Sequence, residues 1–153
     1  MRALSYRQPW AWALLHAGKD IENRVWRRNL EGRVLIHASK GCTSREYTMA
    51  LAFMHAAGVD LSRVPQLRGF GSGALDRGGV VGVLTFTGVV LPPHDGLIRG
   101  ARARWHVPGQ YGYEVWDARP LPFLPWKGAL GVFDVPDDAL AAAYGPQWRE
   151  IVA

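Results

Sequence analysis

The stretch Gly18-Lys19-Asp20-Ile21-Glu22-Asn23-Arg24 places a carboxylate between two cations, three residues after Lys19 and two before Arg24. Side chains alternate between faces along an extended strand. Glu22, Arg24 and Trp26 therefore share one face, and Ile21, Asn23 and Val25 take the other. One face then carries an acid, a base and an indole: an acceptor for an amino group, a holder for an anion and a flat surface for stacking. Spacing alone is equally compatible with a plainer reading, in which Glu22 and Arg24 pair on a solvated strand. Such surface pairs are common and contribute little.

Further cations gather in two places: Arg24, Arg27, Arg28, Arg33, Lys40 and Arg45 in one, and Arg99, Arg102, Arg104 and His106 in the other. The acids Asp134, Asp137 and Asp138 fall near the C-terminus. The net charge of +5 points toward a polyanionic partner, although an arginine-rich composition also follows from a GC-rich genome. A single cysteine, Cys42, excludes an internal disulfide and a cysteine-based zinc cage and reads as a bystander. No pair of His or carboxylate residues has metal-ligand spacing, so neither a metal nor another cofactor is expected. No apolar run approaches the roughly 20 residues that cross a bilayer, and no signal peptide opens the chain. A reducing, cytoplasmic setting and no membrane partner are expected. Oligomeric state is not encoded in any of these features.

The elements that must position these residues follow in order. Residues 2–7 alternate as a first strand. Pro9 suits the first turn of a helix, which runs through Trp10, Trp12, Leu14 and Leu15 to Ala17, and Gly18 fits the left-handed position past its end. Strands follow at 19–26 and 33–38. Thr43-Ser44-Arg45-Glu46 is a capping box that opens a helix of 12 to 14 residues ending near Gly58. Residues 59–79 read as a loop, and Gly69-Phe70-Gly71-Ser72-Gly73 lacks the strand, helix and spacing of a dinucleotide fingerprint. A long β-type run covers 79–90 and stops at Pro92-Pro93. A basic loop at about 94–109 leads to a strand at 111–116. An edge or irregular strand with three prolines occupies 119–127, and a last strand lies at 129–135. A short helix is expected at 136–144 with little to hold it. No linker or repeat interrupts the 153 residues, which form one domain, 1–153. Short strands with long loops and no regular βαβ alternation predict an α+β domain or a small barrel with helices packed on it.

Leu4-Ser5-Tyr6-Arg7-Gln8-Pro9-Trp10-Ala11, followed by the Gly18–Arg24 stretch, resembles the N-terminal signature of the ASCH domain family, named for activating signal cointegrator homology. Gly32 to Lys40, Gly78 to Gly82, Gly109 to Gly112, and Lys127-Gly128 with Phe133 continue the likeness over nearly the whole chain. The resemblance implies a PUA-like β-barrel with two or three peripheral helices and a cleft floored by the Gly18–Arg24 segment. It implies that Lys19, Glu22, Arg24 and Trp26 line that cleft, with Ser5, Gln8, Ser39 and Lys40 contributing. The family's links are to nucleic-acid binding, to transcriptional coactivation and, in some members, to hydrolysis.

For nucleic-acid binding, with RNA favoured over DNA, Arg24, Arg28, Arg33, Lys40, Arg102 and Arg104 are the candidate phosphate contacts. Trp26, Trp105 and Tyr111 are the candidate stacking surfaces, with loop anchoring and core packing the plainer readings of Trp105 and Tyr111. A second reading is a hydrolase acting on RNA or a modified nucleoside, with Lys19 and Glu22 as its catalytic pair. ASCH amidohydrolases that deacylate a modified cytidine resemble this chain but carry Thr where Glu22 stands. They also have Glu on the later strand, where Thr85 falls here. A carboxylate is a poor replacement for a hydroxyl nucleophile, and Lys19 beside Glu22 is expected to stay charged. A swapped arrangement would make Thr85 the nucleophile and Glu22 the base. For a ribonuclease, His37, His106, Lys19 and Lys40 are the candidate acids and bases, with His37 also readable as a hydrogen-bonded core residue. A third reading is a protein-interaction module of a transcription or translation regulator.

Overall fold

The computed structural model describes residues 1–68, 73–92 and 104–153. The expectations that fall on Arg99, Arg102, His94 and most of the 69–73 glycine run lie outside the described residues. Among the described residues six strands, β1 (Arg2–Tyr6), β2 (Ile21–Arg24), β3 (Gly32–Ala38), β4 (Gly79–Val90), β5 (Tyr111–Pro125) and β6 (Val132–Asp134), form one mixed sheet. Their order is β2-β5-β4-β3-β1-β6. β1 and β3 run parallel and the other pairs antiparallel. The helices are α1 (Trp10–His16), α2 (Ser44–Ala56), α3 (Asp137–Tyr144) and the short α4 (Trp148–Val152), with a 3₁₀ turn at Leu61–Arg63.

The architecture is α+β as expected, but the sheet is not closed into a barrel. Closure requires the two outer strands to exchange backbone hydrogen bonds. Here the outer strands are four-residue β2 and three-residue β6, at opposite ends of the order, and no ladder joins them among the described residues.

Local signals account for most elements. Gly18 takes φ +64 just past α1, a region that favours glycine. Thr43 Oγ1 accepts from the Glu46 N–H, and Glu46 reaches back to the Thr43 N–H, completing the capping box of α2. The expected strands at 111–116 and 119–127 are one strand, β5, bent where Asp117 takes φ +46 and the register against β4 shifts. β2 covers only residues 111–114 of it. The proline-rich half, with Pro120 and Pro125 opposite Gly82 and Gly79, pairs with β4 alone. Proline is tolerated there because the missing N–H would have no second strand to serve.

Both faces of the sheet are buried. Leu4, Val34, Ile36, Leu84 and Phe86 pack with α1 through Ala11 and Leu14. Ala3, Leu35, Val80 and Val83 meet Val135, Leu140, Trp148 and Val152 on the other face. The last helices are therefore anchored, contrary to the expectation that little holds residues 136–144. Each fully buried Leu, Ile or Phe contributes roughly 1.5–3 kcal/mol. A third cluster joins α1 and α2 through Ala13, Met54, Ile21 and Trp105.

Candidate functional site

The parallel strands β1 and β3 end side by side, and a cleft of about 1230 Å³ opens beyond them. β1 and the turn after it supply Ser5, Tyr6, Arg7 and Gln8. β2 supplies Glu22, Asn23 and Arg24. The end of β3 supplies His37, Ser39 and Lys40, α2 supplies Glu46 and Met49, and the segment after β5 supplies Trp126 to Gly131.

The floor is an ionic triad in which Lys19 and Glu22 are buried and Arg24 is half-buried. Glu22 lies between Lys19 and Arg24: its Oε2 accepts from Lys19 Nζ at 2.7 Å and its Oε1 sits 3.1 Å from Arg24 Nε. Lys19 is 3% exposed and also donates to the Ile21 carbonyl. It lies behind Glu22 and does not line the cleft. Its pKa is lowered by burial, with the Glu22 carboxylate opposing that shift. With all three groups ionised the triad carries one net positive charge. Arg24 leans over the rings of Tyr6 and Trp26, at 5.2 and 5.5 Å, and donates Nη2 to the Ser5 carbonyl. The Tyr6 hydroxyl is buried and makes no hydrogen bond of ordinary geometry among the described residues, although the Arg24 guanidinium lies beside it. Burial first, and the Glu22 charge second, raise its pKa well above 10.0, so it remains a neutral phenol.

Of the residues expected at the site, Ser5, Gln8, Glu22, Arg24, Ser39 and Lys40 converge on this cleft. Gln8 is fully engaged: Nε2 donates to the Asp76 carbonyl and Oε1 accepts from the Trp12 N–H. Trp26 stands beside Arg24 but packs on Tyr113, with Arg28 across its ring at 5.6 Å. Arg28 lines a separate pocket of about 510 Å³ with Arg27 and Asn29. Trp105 is 0% exposed and stacks on Phe53. Asn23 explains its position by donating to the Trp105 carbonyl and accepting from the Val107 N–H. Arg104 is exposed and covers the Trp105 ring, and Tyr111 is half-buried against the main core. His106 is buried and bonded to the Gln110 carbonyl, away from the cleft. Arg33 is committed to Asp117 and to Thr85 Oγ1. Thr85 therefore lies outside the cleft, and the arrangement of Thr85 as nucleophile with Glu22 as base does not form.

Sequence reasoning passed over Tyr6, Asn23, Trp126, Lys127 and the apolar rim residues Met49 and Leu130. Only period-2 alternation along β1 and β2 and the Lys127-Gly128 pair signalled any of them. His37 is the buried, hydrogen-bonded residue the sequence suggested, yet it also faces the cleft. Cys42 donates to the Gln8 carbonyl, and burial raises its thiol pKa. Among the described residues no three His, Cys, Asp or Glu side chains converge as a metal site requires, and no helix is long and apolar enough to cross a membrane.

A comparison with curated proteins found no match. The ASCH domain family model matches residues 4–137, which span both walls and the floor of the cleft. The chain belongs to the ASCH domain family, whose fold is PUA-like.

Proposed function

We propose that this chain binds nucleic acid, single-stranded RNA in preference to DNA, in the cleft above the Lys19–Glu22–Arg24 triad. The observation that carries the reading is a concave site with a net positive floor, Arg24 facing the opening, and Lys40 and Lys127 on its walls. Such a floor attracts phosphate or an electronegative base edge. Glu22, held by two cations, accepts from a base amino group. Trp10 and Trp126 offer partly exposed ring surface inside the cleft, and Met49 and Leu130 offer exposed apolar groups at its mouth. A stacked base gains roughly 1–3 kcal/mol on an aromatic ring. These side chains, rather than Trp105 or Tyr111, are the stacking surfaces this reading uses.

The test is a titration of fluorescent single-stranded and hairpin RNA and DNA at two salt concentrations, with wild type, Arg24→Ala and Lys40→Ala, followed by gel analysis of the oligonucleotides. Salt-sensitive binding that both substitutions weaken, with intact oligonucleotide, supports the reading. Absence of binding at low salt refutes it and favours a protein partner or a small-molecule ligand.

A further inference from the structure

The geometry points to a second chemistry in the same cleft: Ser5 and His37 form a nucleophile–base pair for transfer of an acyl group from an anionic carboxylic ester. Ser5 Oγ lies 3.1 Å from His37 Nδ1, and both side chains line the cleft. His37 Nε2 lies 3.0 Å from the Trp126 carbonyl oxygen. A carbonyl only accepts, so Nε2 carries the hydrogen, and in the neutral ring Nδ1 is a bare acceptor aimed at the Ser5 hydroxyl. Here the Trp126 carbonyl fixes the tautomer and ring orientation, the task a carboxylate performs in a Ser-His-Asp triad. Edge-on packing of Phe133 at 5.5 Å holds the ring from the side.

The Ser5 hydroxyl has one hydrogen and two acceptors within reach, His37 Nδ1 at 3.1 Å and the Ala129 carbonyl at 3.2 Å. Gly128 is part of the design: a Cβ there would lie 2.4 Å from His37 Cε1 and 2.9 Å from Ser5 Oγ, filling the space at the pair. Arg24, tied to the Ser5 carbonyl at 3.1 Å, brings the positive floor next to the nucleophile. That charge selects an anionic substrate.

In the reaction His37 Nδ1 takes the Ser5 proton as Oγ bonds to the ester carbonyl carbon, whose π pair moves onto oxygen. The carbonyl re-forms, the carbon–oxygen bond to the alcohol breaks, and the alkoxide takes the proton from Nδ1. Water then attacks the acyl-serine, giving its proton to Nδ1. The carbon–Oγ bond breaks, Ser5 recovers the proton and the carboxylic acid leaves. Lys19 has no part in this scheme, being enclosed behind Glu22. The inference is independent of whether a polynucleotide occupies the cleft.

A fluorescent fluorophosphonate and the 4-nitrophenyl esters of acetate and succinate test it, with folding of every variant checked by circular dichroism. Expected are labelling that peptide mass analysis places on Ser5, faster turnover of the anionic succinate ester, and loss of both labelling and turnover in Ser5→Ala. His37→Gln should slow labelling by about 100-fold or more, the usual range for loss of a general base. If Ser5→Ala does not fold, Ser5→Cys, which keeps a hydrogen-bonding atom at that position, takes its place, and iodoacetamide should then alkylate position 5. Folded wild type that is not labelled at Ser5, or a labelling rate unchanged in His37→Gln, would overturn the assignment.

Discussion

Two clusters with the same charge pattern sit at different places in this molecule. Lys19–Glu22–Arg24 floors the cleft, and Arg33–Asp117–Arg119 bridges the bend of β5. Each is an acid held by two bases, with contacts from 2.7 to 3.3 Å. They differ in surroundings. The Lys19 and Glu22 side chains are 2% and 8% exposed, whereas Asp117 and Arg119 are 40% and 43% exposed. Water screens the second cluster and leaves its charges free to separate. In the first, Lys19 and Glu22 are cut off from water and depend on each other, while Arg24, 20% exposed, presents its charge to the cleft. The same arrangement of charges is thus solvent-screened in one place and largely buried in the other.

The largest expected effect comes from removing the central acid of each. Glu22→Gln leaves the buried Lys19 ammonium without its counter-charge and should cost about 3–5 kcal/mol in urea unfolding. Asp117→Asn should cost less than about 1 kcal/mol. Similar costs for the two would break the comparison.

Ligand binding sharpens it next. Arg24→Ala removes charge-assisted hydrogen bonding of roughly 1.5–3 kcal/mol, so RNA affinity should fall about tenfold to a hundredfold. Arg119→Ala, at the exposed cluster, should leave affinity within about twofold of wild type at moderate salt, because screening removes its influence over that distance. Equal losses would mean that net charge, not the cleft, drives binding.

A smaller effect follows from pH. Burial lowers the folded pKa of Lys19 from its ordinary 10.5. Between the lowered value and 10.5 the unfolded chain holds more protons than the folded chain. Lys19 therefore makes stability rise with pH across that window, while at lower pH it opposes folding by a constant amount. The stability of wild type relative to Lys19→Met, measured by urea unfolding, should increase as pH climbs toward 10.5. A flat difference would place Lys19 in a more solvated setting. Tyr6 is common to both proteins, so its opposite trend above pH 10.0 cancels.

The smallest effect is spectroscopic. Trp116 is 70% exposed and Trp105 is 0% exposed. Trp116→Phe should remove much of the iodide-quenchable emission, while Trp105→Phe should leave the quenchable fraction nearly unchanged. The converse result would contradict the burial of Trp105.

Features carried by neighbouring residues could be read ahead of the structure. The Thr43–Glu46 capping box and the positive-φ glycine after α1 rest on contacts within a few residues, and strands β3 and β4 announce themselves by local runs of β-branched and apolar residues. The Glu22–Arg24 pairing is local too, because residues two apart on a strand share a face. The site was only partly readable for the opposite reason. Trp105 sits in a basic, loop-like stretch and looked available for stacking, yet Asn23, 82 residues earlier, holds its backbone while Phe53 covers its ring. Arg33 looked like a phosphate contact, but the β5 bend delivers Asp117 to it across 84 residues of chain.

The sequence by itself determined the type of most elements, the family and the pairing of Glu22 with Arg24, since all three depend on residue types at short spacing. Only the tertiary structure decided which charges are buried, that the sheet stays open, and that Ser5, His37 and Trp126 meet. Contacts spanning 32 and 89 residues are set by which faces of the sheet and helices pack together, a property that local periodicity does not encode.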